Sequence, residues 1–156
     1  LNTAAVIGMG SIGRRHAKNL QSMGFNIVAF DPHGCNFPGS ESINLTEFES
    51  AEVAIRHADI AIISSPHSSH LAHMRACVKF RRPFLVEKPI ASAMHGLNDL
   101  KSEMGDLVAH VGYNLRFHPT VHRVLEHLKS GSVGRILHST FEYGSYLPGW
   151  RPSSNY

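Results

Sequence analysis

Residues 4–16 read AAVIGMGSIGRRH, and the rest of the chain is placed relative to them. Ala4–Ile7 is a short apolar run stopped by glycine, the pattern of a buried strand. From Ser11 the pattern becomes helical and continues to Met23, where Gly24 ends it. Gly8, Gly10 and Gly13 sit at the joint between the two. A glycine inside a helix costs roughly 1 kcal/mol relative to alanine, so their presence calls for a physical reason. Gly8 would permit the tight turn, and Gly10 would let a pyrophosphate approach the backbone where any Cβ would collide with it. Gly13 would allow the helix to pack closely on the strand. The helix start, Ser11, Ile12 and Gly13, then offers unpaired N–H groups and a partial positive charge to a phosphate.

The same glycines would also serve a tight strand-to-helix turn with no ligand. Asp31 weighs against that alternative. It ends a second apolar run, Asn26–Phe30, where its carboxylate could accept hydrogen bonds from adenosine ribose hydroxyls and repel a 2′-phosphate. That favours NAD over NADP. Asp31 also precedes Pro32, a common way to start a turn. Arg14 and Arg15 could each meet a phosphate, which complicates the cofactor preference.

Further apolar runs at 59–65, 83–88 and 107–113 read as strands, and helical patterns fall at 68–80 and 92–104. Residues 45–53 read as a short helix, with Thr46 as N-cap and Glu49 three residues on. Helices alternating with strands that are apolar throughout predict an α/β fold, a doubly wound parallel sheet of the Rossmann type over residues 1–113. The pattern then changes. Residues 118–131 form an amphipathic helical stretch with Val121, Val124, Leu125 and Leu128 on one stripe. Residues 134–147 alternate as a long strand would. A lone helix and strand cannot make a stable domain, so 114–156 reads as the beginning of a second, incomplete α/β domain.

Composition agrees with a globular chain: 42% of residues are hydrophobic, 17% are charged, and the net charge is +3. The basic residues are scattered, which gives no ground for a nucleic-acid partner. No apolar run approaches the roughly 20 residues that span a bilayer, so no membrane partner is expected. With only Cys35 and Cys77 present, a disulfide framework is not expected, and a reducing, cytoplasmic setting fits. Histidine is abundant, at 12 residues. His67, His70 and His73 recur at even spacing, and His118 and His122 could share a helix face as metal ligands do. No cysteine or carboxylate cluster accompanies them, so no metal site is expected.

Three stretches, ISSPHSSH (63–70), VEKPIA (86–91) and VGYNLRFHP (111–119), with WRP (150–152), resemble the Gfo/Idh/MocA oxidoreductases, in that family's order and spacing. EKP is the most specific mark. The resemblance implies an N-terminal Rossmann domain and a C-terminal domain on a large open sheet, which is also the family's usual surface for self-association. It implies a hydride transfer between NAD or NADP and a secondary alcohol of a small sugar-like, inositol or nucleotide-sugar substrate. By the same resemblance, Ser64, Ser65 and Pro66 would lie near the cofactor's ribose and nicotinamide, and His70 would match the histidine at the following helix start. Glu87 would contact the nicotinamide ribose region. Lys88 would be the active-site lysine, in a cis peptide with Pro89. Asn114 and Arg116 would occupy the segment joining the domains, and Trp150 and Arg151 a loop reaching back to the cofactor. The family's proton-transferring residue, commonly a histidine of the second domain, would fall after Tyr156. The physical reading of Lys88 agrees: at the C-terminal end of a parallel strand, an ammonium can stabilise a developing alkoxide. The alternatives are a dinucleotide-binding module or regulator without catalysis, and an inactive portion of the enzyme.

Overall fold

The computed structural model describes residues 2–38, 42–142 and 144. The chain divides into two compact units at Tyr113/Asn114. The first is a six-stranded sheet, β1 (Thr3–Ile7), β2 (Asn26–Phe30), β3 (Leu45–Glu47), β4 (Ile60–Ile63), β5 (Phe84–Val86) and β6 (Ala109–Val111). Its spatial order is β3-β2-β1-β4-β5-β6, and every pairing is parallel. β1 is central, with Ala5 opposite Val28 on one side and Ala61 on the other. The strand order reverses at β1, and ligands of open α/β sheets bind in the crevice beyond the strand ends at such a point.

Alternate residues of β1 feed opposite layers. Ala4 and Val6 pack with Ala17 and Leu20 of α1 (Ser11–Ser22), Met9 and Ile27. Ala5 and Ile7 pack against the other layer, built from α2 (Ala51–Arg56), α3 (His70–Lys79) and α4 (Leu97–Met104). Cover on both faces is why these strands read as unbroken apolar runs rather than as alternation. Both cysteines are buried and free; burial above all pushes each thiol up to about 12, with the Glu47 and Asp31 carboxylates adding to the effect at Cys35.

Three expectations are corrected. Residues 45–53 are not one helix. Leu45–Glu47 instead extends the sheet as an edge strand, pairing in register with Ile27–Ala29. The helix begins only at Ala51, capped by Ser50, whose Oγ accepts from the Val53 N–H at 3.3 Å. α4 starts at Leu97 rather than at residue 92, because Gly96, at φ +79°, turns the chain immediately before it. Finally, of the strand expected over residues 134–147, residues 134–142 and 144 form no strand, and residues 143 and 145–147 lie outside the described residues. Their alternation is real, but a strand needs a neighbour to take its backbone hydrogen bonds.

The second unit opens with a 3-10 turn, Asn114–Phe117, followed by α5 (Pro119–Lys129). Pro119 suits a first helical turn. His118 caps the helix: its Nδ1 accepts from the Thr120 N–H at 3.2 Å. On α5, Val124, Leu125 and Leu128 are exposed.

Candidate active site

The three glycines of the opening loop differ in what surrounds them. Gly8 has φ +91°, and a Cβ there would lie 2.6 Å from the Ser65 backbone nitrogen. At Gly13 a Cβ would lie 1.9 Å from the Gly8 carbonyl oxygen. These two glycines are explained by the chain's own packing of α1 on β1 and β4. Gly10 is not: its φ of −63° suits any residue, and a Cβ there would meet nothing within 4 Å. Gly10 N-caps α1, no side chain caps that helix, and its first turn carries no acidic residue. The result is an open cradle of amide N–H groups at the positive end of a 12-residue helix. Such a cradle has the charge and the open space that suit a pyrophosphate.

Asp31 stands at the end of β2, and its carboxylate grips the loop. Oδ2 accepts from the Met9 N–H at 2.7 Å, and Oδ1 accepts from the His33 N–H at 2.9 Å. The side chain is only 12% exposed. Arg14 does not reach toward an anion: it donates to the Pro38 carbonyl at 2.7 Å and lies over the Phe37 ring. With Arg15, Lys18, Ser11, Asn19 and Pro38 it lines a cavity of about 400 Å³ beside the helix start.

Beyond β4, Ser64 ties two strands together. Its Oγ donates to the Gly8 carbonyl at 2.8 Å, and its backbone N–H donates to Ile7. The Ser65 hydroxyl lies 3.0 Å from His73 Nδ1, and Pro66 introduces the 3-10 turn His67–Ser69. Placing His70 among cofactor contacts conflicts with its burial. It is 1% exposed, and its ring nitrogens face the carbonyls of Ser65, at 2.8 Å, and Pro89, at 3.0 Å. It has no polar atom left for a ligand. Glu87 is likewise engaged: Oε1 lies 2.8 Å from His16 Nε2. A Cβ at Gly112 would sit 3.1 Å from its Oε2. Lys88 follows, exposed and without an ion-pair partner among the described residues, and the Lys88–Pro89 peptide is cis. Asn114 belongs to the second unit, where it opens the 3-10 turn. Trp150 and Arg151 lie outside the described residues.

His16, His73 and Gly112 carry no sequence motif that marks them as part of this site. A histidine on a helix face does not announce its partner, and His16 meets one 71 positions away. Burial holds the His73 imidazole below its ordinary value of 6.5, and neighbouring His70 pushes it the same way. The unfolded chain therefore binds a proton near pH 6.5 that the native state refuses. The stability tied to this is fully present above that pH and is lost as pH falls below it. Denaturant midpoints followed across that range should fall less steeply on acidification in His73→Gln than in wild type. Equal slopes would remove His73 from the acid response.

Among the described residues no group of side chains is arranged to hold a metal ion, and no helix is long and apolar enough to cross a membrane. A parallel sheet in this order, with a glycine cradle at a helix start and an acid at the end of β2, defines an NAD-binding Rossmann unit. The description of the oxidoreductase family with an NAD-binding Rossmann fold matches residues 3–113. The chain belongs to that family, Gfo/Idh/MocA. It is 30% identical, over 83% of its length, to an inositol 2-dehydrogenase of Rubrobacter xylanophilus, and covers 40% of that protein. It is 28% identical, over 92% of its length, to inositol 2-dehydrogenase 2 of Saccharopolyspora erythraea, covering 46% of it. The chain thus spans less than half the length of these curated relatives. Among solved structures, the myo-inositol dehydrogenase of Lactobacillus casei in complex with NAD(H) and myo-inositol superposes with a TM-score of 0.76. It is 20% identical, with 86% of this chain and 43% of that one covered.

Proposed function

We propose that this chain carries the cofactor-binding part of an NAD-dependent dehydrogenase acting on a secondary alcohol of an inositol or related sugar. The observation that carries the reading is Gly10: a glycine that neither turn nor packing requires, at the head of an uncapped helix. The amide groups of Ser11–Gly13 would hold the pyrophosphate, and Asp31 would receive the adenosine ribose with its remaining lone pairs. Ser64, Ser65 and Pro66 would line the path toward the nicotinamide. When bound, the nicotinamide accepts or returns the hydride. Lys88 would stand against the reacting hydroxyl, where its ammonium favours the alkoxide and orients the carbonyl. Asn114, Trp150 and Arg151 are proposed as further cofactor contacts from the second unit, residues 114–156. That unit is read as the beginning of a substrate and oligomerisation domain. Self-association through it belongs to the same proposal, since α5 exposes an apolar stripe, and light scattering would decide it. The substrate class rests on the relatives' names, and the setting proposed is the cytoplasm.

Titration calorimetry with NAD and NADP tests the cofactor half of this reading. NAD should bind the wild-type chain more tightly than NADP. Asp31→Ser should weaken NAD and narrow that preference. Absence of NAD binding would sink the proposal, and an unchanged preference in Asp31→Ser would remove Asp31 from it. Turnover of myo-inositol and a panel of sugars by the full-length protein tests the other half.

A further inference from the structure

Lys88 is flanked by two residues that are each held by a histidine from a different helix. On one side, His16 of α1 reaches Glu87 Oε1 at 2.8 Å. On the other, His70 of α3 sits 3.0 Å from the Pro89 carbonyl. We propose that His16 and His70 are positioning residues for Lys88, acting by fixing its two chain neighbours; this rests on Lys88 being the catalytic group of the proposed function.

The sheet does not fix this segment by itself. β5 ends at Val86, and the last backbone bond it makes in this direction runs from the Glu87 N–H to the Ile63 carbonyl, at 2.9 Å. Beyond it, Lys88 carries its ammonium on a four-carbon stem that is flexible by nature. Its reach is set by where the stem begins. The Glu87 carboxylate is seated closely: it lies against the backbone of Gly112, where a Cβ would come within 3.2 Å of all three carboxyl atoms. The His16 and Glu87 side chains are 25% and 22% exposed, so the pair is partly shielded from water. His70 adds the second hold by donating its Nδ1–H to the Pro89 carbonyl; its Nε2 lies 2.8 Å from the Ser65 carbonyl, just beyond β4, and a neutral ring donates to one of the two. Neither histidine needs to touch cofactor or substrate for this. A displacement of about 1 Å in a catalytic group costs on the order of a hundredfold in rate, so two anchors around one lysine are of consequence.

A double-mutant cycle on the full-length protein tests this. His16→Gln and His70→Gln are each made in wild type and in Lys88→Met, with kcat, KM and NAD affinity measured for all. In the wild-type background, His16→Gln should lower kcat roughly tenfold while NAD affinity, by calorimetry, stays within about twofold. On the Lys88→Met background the same substitution should cost nothing further in kcat, because the group it positions is gone. His70→Gln should follow the same pattern. Because His70 is buried, His16→Gln alone decides the matter if His70→Gln does not fold. Equal losses of kcat in both backgrounds would overturn the proposal, as would a wild-type kcat in His16→Gln or a loss confined to NAD affinity. If Lys88→Met itself leaves turnover unchanged, the reading of Lys88 fails, and the cycle shows that separately from any effect of the histidines.

Discussion

Alanine at Gly10 and alanine at Gly13 should fail in opposite ways. In Gly13→Ala the new methyl would lie 1.9 Å from the Gly8 carbonyl oxygen and 2.9 Å from the Ser64 hydroxyl. The first of these is backbone and cannot swing aside, so α1 must lift from β1. We expect a loss of at least about 3 kcal/mol in unfolding free energy, at the upper end for overpacking. In Gly10→Ala the methyl meets nothing in the protein. The cost to the fold is confined to a poorer helix cap, about 1 kcal/mol. NAD affinity should nevertheless drop at least roughly tenfold, or 1.4 kcal/mol, because the methyl occupies the space the pyrophosphate needs. Chemical denaturation and calorimetry on the two variants read both effects. Unchanged NAD affinity in Gly10→Ala would mean that the cradle is not where the phosphates sit.

Lys88→Met in the full-length protein should reduce turnover by at least about a hundredfold, the scale of losing a positioned proton-transfer or electrostatic group. Methionine keeps the length and apolar character of the stem, so the change isolates the charge. NAD affinity should change little, since the cradle at Gly10 and the Asp31 carboxylate lie on other loops. The exposed ammonium makes no ion pair among the described residues, so its removal leaves no buried partner uncompensated and should hardly alter stability. Turnover near that of wild type on several inositols and sugars would show that Lys88 is not catalytic.

The sequence was most legible where one residue's neighbours are also its structural partners. Ala4–Ile7 is buried on both sides of the sheet, so its run is apolar without interruption, and the glycines that follow share its turn. The misreadings arose where structure depends on distant residues. Leu45–Glu47 has only three residues to declare itself, and Thr46 with Glu49 imitates a helix cap. What makes it a strand is the free edge of β2. The sequence likewise gives no sign that His16, on the first helix, meets Glu87 71 positions away. The pattern at 134–142 is that of a strand, but alternation does not supply a neighbouring strand. Gly10 was legible as a glycine in a motif. Its reading already stands apart from those of Gly8 and Gly13; the structure adds that the protein itself leaves its missing side chain room.

The central place of β1 also matters while the chain is being made. β1 emerges first, and β2 can join it once residue 30 is out, but the strand for its other edge, β4, begins at Ile60. At about 5–20 residues added per second, the ribosome leaves that edge bare for a few seconds in every copy. A strand with an unpaired edge is a template for other chains. The Gly8 loop and Asp31 are complete by then, whereas Ser64 and Lys88 do not yet exist. The order of translation therefore exposes the nascent protein longest at the strand that will end up most enclosed.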